Sequence, residues 1–216
     1  MKTKTFAVLG LGRFGMSVAD ELMERGAEVL VVDQNERLID ENARKYTQTV
    51  IADLTDADDI RQLGLGNMDA VIVCMSQNLE ASIMCVMIAK ECGVHKVIAK
   101  AEDTMKGEIL KKVGADQIVF PEMESGIRAA FQLIFHDVMR FFDLTGELVI
   151  VEMEPRREWC GKTLYDLDLR KKYGINVIAY QKDDKVYEVS SAKTVIQQGA
   201  VLLIVTTKAN LDKLEE

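Results

Sequence analysis

The chain reads as an α/β protein: a doubly wound parallel sheet with a crossover helix, followed by a second, smaller α+β C-terminal lobe. Three observations predict this. Residues 6–33 run as an apolar strand, a glycine-rich turn, a helix and a second apolar strand that ends in an acid. Short apolar runs then alternate with helical stretches as far as Phe120. From Glu147 onward the pattern changes to strands that mix strict alternation with continuous apolar runs.

The first strand, over Thr5 to Leu9, leads into Gly10, Gly12 and Gly15. Gly10 permits a tight turn out of the strand, and Gly12 lets backbone amides approach a phosphate with no Cβ in the way. Gly15 lets the following helix pack closely on the sheet. The amides of the turn and the helix N-terminus aim partial positive charge at an anion. Arg13 and Phe14 lie within the same turn. The second strand, residues 28–32, ends at Asp33, about 20 residues beyond the turn, where a carboxylate accepts hydrogen bonds from ribose hydroxyls. Strand, glycine turn, helix and acid in this order predict a Rossmann-like nucleotide-binding lobe.

Further strands are expected at residues 49–52, 70–75, 96–100 and 117–120, with helices following Glu36, Asp56, Asn78 and Asp103. Runs such as VLVV and AVIVCM suit strands covered on both faces. Repeated strand–helix units with short connections wind a parallel sheet, and such sheets bind ligands at the carboxyl ends of strands where the strand order reverses. The candidates just past those ends are the glycine turn, Asp33, Asp53, Ser76 to Asn78, Lys100 and Glu122. Asp53 either contacts an adenine amine or caps the next helix. Ser76 and Asn78 reach ribose or phosphate, or cap the helix that starts near Asn78, and the two roles are compatible. Lys100 either balances phosphate charge or is a solvated surface lysine.

Pro121 marks a break. Residues 123–142 then carry apolar side chains at helical spacing, among them Ile127, Phe131, Ile134, Phe135, Val138 and Phe142. With the sheet already wound, this reads as a crossover helix whose apolar face meets another subunit, against the plainer reading of a core helix. In the second lobe, LVIVEM, INVIAY, KVYEV and VLLIVT are read as strands, residues 164–172 as a short helix closed by Gly174, and residues 209–214 as a final helix. The lobes are expected to join around residues 143–146.

The bulk numbers narrow the function. At 216 residues, with 48% apolar and 29% charged side chains, the chain holds one such lobe and a smaller one, with material for a core. A net charge of −8 argues against a nucleic-acid polymer as partner. No apolar run approaches the roughly 18 residues that a membrane span needs, and the N-terminus lacks a secretory apolar region. The expectation is a cytoplasmic protein that acts at a membrane only through a partner. Cys74, Cys85, Cys92 and Cys160 show no paired spacing and are read as buried, reduced thiols.

A nicotinamide-dependent oxidoreductase is the default reading of the glycine turn, and three features weigh against it. His95 and His136 have no evident acid or nucleophile partner, and the second lobe offers no acid–base or metal-ligand set. Arg13 lies inside the turn, where a planar five-donor cation matters most for a ligand richer in charge than a dinucleotide. That favours a nucleoside triphosphate. A solvent-facing Arg13 is the alternative.

The runs FAVLGLGRFG, VVD at Asp33, KKVGADQIVFPE and LRKKYGINVIAY together resemble the RCK (KTN) family, regulators of potassium conductance. The likeness covers nearly the whole chain and is strongest to the Ktr-type cytosolic gating subunits of bacterial potassium transporters. It implies a nucleotide-binding lobe over residues 1–142 and a C-terminal lobe over residues 143–216. It also implies no catalysis, and dimers gathered into an octameric ring beneath a membrane potassium-transporting subunit. ATP and ADP would compete for one site, with Gly10, Gly12 and Gly15 along the phosphates, Arg13 at the γ-phosphate, Asp33 on the ribose and Asp53 near the base. Glu122 would take a cation (Mg²⁺, Ca²⁺ or Na⁺), since a carboxylate beside phosphate oxygens needs one between them. Some relatives bind cyclic di-AMP in the second lobe. Arg170, Ile175 and Val177 lie in that region, but residues 189–192 read VSSA without the proline those relatives carry. A Trk-type regulator that senses NAD(H) shares the fold.

Overall fold

The computed structural model describes residues 3–75, 77–135, 138–144, 146–182 and 188–212. They fall into two compact units, Met1–Met123 and Glu124–Glu216.

The first unit strings β1 (Thr5–Leu9), α1 (Arg13–Glu24), β2 (Glu28–Asp33), α2 (Glu36–Asn42), β3 (Gln48–Ile51), α3 (Ala57–Gln62), β4 (Ala70–Val73), α4 (Leu79–Glu91), β5 (Lys96–Lys100), α5 (Thr104–Lys112) and β6 (Gln117–Val119). The six strands form one parallel sheet in the order β3-β2-β1-β4-β5-β6. The alternation of side chains along each strand explains why the runs are apolar throughout. In β2, Leu30 and Val32 join one buried cluster with Leu9, Val73 and Ile60. Val29 and Val31 join a second, with Val8, Ile39 and Tyr46. Both faces of the sheet are therefore covered.

Helix starts follow a single chemistry. The side chains of Asn35, Asp56, Asn78 and Asp103 accept hydrogen bonds from backbone amides in the first turns of α2, α3, α4 and α5. Each satisfies donors that a helix cannot pair internally. These four caps stand at or one residue before the positions from which the sequence places the helices.

In the second unit, α6 (Pro121–Ile134), which begins in the first unit, precedes β7 (Val138–Asp143), β8 (Leu148–Met153), α7 (Leu164–Leu167), α8 (Leu169–Tyr173), β9 (Asn176–Gln181), β10 (Glu188–Val189), β11 (Val201–Thr207) and α9 (Lys208–Asp212). The antiparallel sheet runs β10-β9-β11-β8-β7, and a cluster built on Val149, Val151, Trp159, Leu202 and Ile204 covers one face.

Three expectations are corrected here. The helix expected across residues 123–142 stops at Ile134, and Val138–Asp143 forms β7, whose Phe141 and Phe142 pair with Val151 and Ile150 of β8. By packing, the chain divides into its two compact units between Met123 and Glu124. The short helix at residues 164–172 is two helices, broken at Asp168 with φ 46°. Of the cysteines, Cys74 and Cys85 are buried as expected, while Cys92 is exposed and Cys160 half-buried; all four are free thiols.

Candidate functional site

The strand order of the first sheet reverses between β1 and β4, and a cleft of about 430 Å³ opens there, at the carboxyl ends of the strands. Its lining includes Gly10, Gly12, Asp33, Asp53, Asn78 and Lys100. Six of the residues nominated from sequence thus converge on one place.

Each glycine of the turn has its own reason. Gly10 adopts φ 95°, a region open to glycine, and its N–H donates to the Val32 carbonyl at 2.8 Å. Gly15 is buried, and a Cβ there would lie 2.1 Å from the Gly10 carbonyl oxygen. Gly12 is the opposite case: a Cβ would meet nothing within 4 Å. The space beside it belongs to the cleft. The first helical hydrogen bond of α1 runs from the Met16 N–H to the Gly12 carbonyl at 2.9 Å, so the earlier amides of the turn have no intrahelical partner. That is an anion cradle of backbone donors with room in front of it.

Asp33 is fixed from two sides. Its Oδ2 accepts from the Leu11 N–H at 2.7 Å and its Oδ1 from the Asn35 N–H at 2.9 Å. One carboxylate thereby ties the end of β2 to the glycine turn while keeping lone pairs for hydroxyl donors. Asp53 is no helix cap; Asp56 caps α3. Asp53 instead accepts from both the Thr55 hydroxyl (2.7 Å) and the Thr55 N–H (2.9 Å), and these bonds hold its carboxyl below the usual carboxylate range. Asn78 does cap α4, accepting from the Ala81 N–H at 3.0 Å, and also lines the cleft. Ser76 lies outside the described residues.

Lys100 ends β5 with its side chain only 11% exposed, and its Nζ lies 2.6 Å from Glu122 Oε1. The bond from Lys100 is the main reason that the Glu122 carboxyl is held low. The same ammonium lies 6.0 Å from the centre of the Phe14 ring. Cys74, on the cleft floor, is pushed up to about 12 by burial, with Lys100 opposing. That thiol is unsuited to nucleophilic work.

Four nominated residues do not line the cleft. Arg13 starts α1, is exposed, and is not among the residues that line the cleft. Phe14 is half-buried beside Lys100, Gly15 packs beneath the turn, and Glu122 stands on the first turn of α6. Among the described residues no three His, Cys, Asp or Glu side chains converge to hold a metal. An ion at Glu122 would need most of its oxygens from a bound ligand. Gln77, within the nominated stretch 76–78, also lines the cleft, and sequence reasoning missed Gln34 and Thr55, which line it too. Their signal was adjacency, since each stands one or two residues from a nominated acid or amide.

Residues 6–121 match the TrkA-N domain and residues 148–216 the TrkA-C domain. The chain is 38% identical to the Ktr system potassium uptake protein C of Bacillus subtilis (strain 168), over 99% of this chain and 96% of that protein. It is 37% identical to the Ktr system potassium uptake protein A of Vibrio alginolyticus, over 95% and 94% of the two. Among solved structures, the GsuK RCK domain superposes with a TM-score of 0.65 at 19% identity, covering all of this chain and 47% of the other, a likeness of fold. A two-domain match of this extent, with full-length relatives well above 30% identity, places the chain in a family: it belongs to the Ktr potassium-uptake proteins, built from a TrkA-N and a TrkA-C (RCK) domain.

Proposed function

We propose that this chain is the cytosolic regulatory subunit of a bacterial potassium-uptake system, which switches a membrane potassium-transporting subunit by binding ATP or ADP in the cleft. The full-length identity to Ktr proteins supports the setting. The single observation behind the ligand is the open cradle in front of Gly12, flanked by a fixed Asp33 and a nearly buried Lys100. Phosphates sit against the turn and near Lys100, ribose hydroxyls on Asp33, and the base beside Asp53 and Thr55. The chain makes and breaks no bond in the nucleotide.

ATP and ADP differ by one phosphate, so the residue that tells them apart contacts that phosphate. Arg13, exposed on the first turn next to Gly12, is that residue. One charge-assisted hydrogen bond contributes about 1.5–3 kcal/mol, a bias of roughly tenfold to a hundredfold per site. Several sites in one assembly multiply that bias. Glu122, with phosphate oxygens, takes a bridging cation such as Mg²⁺, Ca²⁺ or Na⁺, which neutralises charge where carboxylate and phosphate meet. The assembly is a homodimer gathered into an octameric ring. Helix α6, which has no buried residue and exposes Met123, Ile127, Leu133 and Ile134, supplies its contact surface. The ring lies at the inner face of the membrane through its partner. Cyclic di-AMP in the second unit, near Arg170, is a weaker proposal.

One rival ligand shares the geometry. A carboxylate fixed as Asp33 is fixed also suits the adenosine ribose of NAD(H), while repelling the 2′-phosphate of NADP. Calorimetric titration with ATP, ADP, NAD⁺ and NADH separates the readings. We expect ATP and ADP to bind and Arg13→Ala to bind ADP normally while losing the conformational response to ATP. Tighter binding of NADH, or an unaltered ATP response in the variant, would overturn the proposal.

A further inference from the structure

Lys100 is placed for two partners. Its side chain is nine-tenths buried at the edge of the cleft, and it helps line that cleft. A lysine so withdrawn from water needs a counter-charge. It takes one from Glu122, which does not line the cleft and whose side chain is 67% exposed. Glu122 is the second residue of α6, the helix that runs from the first unit into the second. The face of the Phe14 ring lies within the range of cation–π attraction and steadies the ammonium from a third direction.

We propose that the Lys100–Glu122 pair is a built-in competitor of the ligand's phosphates, so that an anion entering the cleft draws the Lys100 ammonium and releases the first turn of α6. The inference rests on the nucleotide reading of the cleft given above. It assigns Glu122 an effect beyond any cation: in the absence of one, its carboxylate weakens phosphate binding by holding the amine that the phosphate needs. It also makes the start of α6 report on the cleft, because the pair anchors the first turn of a helix with no buried residue. Partly exposed ion pairs couple weakly, so the expected effect is roughly twofold to fivefold in affinity.

The test uses the full chain at low ionic strength with a metal chelator present. Binding of ADP, pyrophosphate and adenosine is measured by calorimetry for the unaltered protein, Glu122→Gln and Lys100→Met, with hydrogen exchange followed at residues 122–126. Glu122→Gln, an isosteric change at an exposed site, should bind ADP and pyrophosphate roughly two to five times more tightly and adenosine as before. ADP should speed exchange at the first turn of α6 in the unaltered protein. In both variants that exchange should already be fast without ADP, and Lys100→Met should bind ADP more weakly. If the unaltered protein binds ADP and Glu122→Gln binds it equally or less tightly, the competition is overturned while the nucleotide site stands. If the unaltered protein binds neither ADP nor pyrophosphate, the nucleotide site is overturned and this inference with it.

Discussion

Replacing Gly15 and Gly12 by alanine, one at a time, separates the two jobs of the glycine turn. At Gly15 the new Cβ would lie 2.1 Å from the Gly10 carbonyl oxygen, 3.2 Å from the Gly10 carbonyl carbon and 3.4 Å from Cys74 Cβ. Backbone atoms cannot step aside as a side-chain tip does, so α1 must move off the turn by about 1 Å in a close-packed interior. Overpacking of this kind costs about 1–3 kcal/mol. For a chain of this size a loss of 2 kcal/mol lowers Tm by roughly 4–8 °C. At Gly12 the added methyl meets nothing within 4 Å, and φ is an ordinary −69°. The reduced freedom of the unfolded chain and the poorer helix cap nearly offset each other, each at a few tenths to 1 kcal/mol. Gly12→Ala should therefore keep its Tm within about 2 °C yet lose ADP affinity, because the methyl stands where a phosphate must approach the amides. Differential scanning calorimetry and ADP titration read the two effects. A Gly15→Ala protein that melts with the unaltered one, or a Gly12→Ala protein that binds ADP normally, would refute the assignment of packing to one glycine and ligand approach to the other.

Three further outcomes follow from named bonds. Asp33→Asn leaves one oxygen to serve the amides of both Leu11 and Asn35, so urea denaturation should show a loss of about 1–3 kcal/mol together with weakened nucleotide binding. Tyr46 is buried and donates to Asp20 Oδ1 at 2.8 Å, and burial and that carboxylate keep the phenol protonated far into the alkaline range. Tyr46→Phe should cost about 0.5–1.5 kcal/mol and remove from a spectroscopic titration a tyrosine that ionises only at strongly alkaline pH. Asp116 accepts from the Val97 N–H at 2.6 Å and pairs with Lys90 at 3.2 Å, which lowers its carboxyl in the fold, the Val97 bond contributing most. A depressed folded pKa gives stability that is full above the unfolded value of about 3.9 and is lost as pH falls through the folded one. The stability gap between the unaltered protein and Asp116→Asn should thus be widest near neutrality and close below about pH 4; a gap that widens in acid would refute it.

The first sheet was legible because strands buried on both faces must be apolar at every position, and because Asn35, Asp56, Asn78 and Asp103 punctuate the helix starts. β7 was not, for a definable reason. A bulge between Val138 and Arg140 inserts one residue, so the two buried side chains, Val138 and Phe141, stand three apart and imitate a helical face. Only the pairing with β8 decides the matter. The break at Asp168 was equally silent, since a positive φ leaves little mark beyond the tolerance of Asp for it. At the site, the glycine turn and the strand-end rule located the cleft, but not the directions of side chains. Arg13 is not part of the cleft lining, and Glu122 reached the site only through Lys100. Both depend on rotamers and partners that spacing does not encode.

The reversal of strand order at β1 and β4 has a mechanical side. The half of the sheet built from β1, β2 and β3 contributes Gly10, Gly12, Asp33 and Asp53, while the half built from β4 to β6 contributes Cys74, Met75, Asn78 and Lys100. The two halves meet along the β1–β4 seam, in register from Phe6 opposite Ala70 to Leu9 opposite Val73. A molecule lying across that seam acts as a rivet, and amides along it should become the slowest to exchange when the rivet is in. Occupancy is then written into the stiffness of the sheet itself, a signal that rigid neighbouring elements can carry before any lobe has moved.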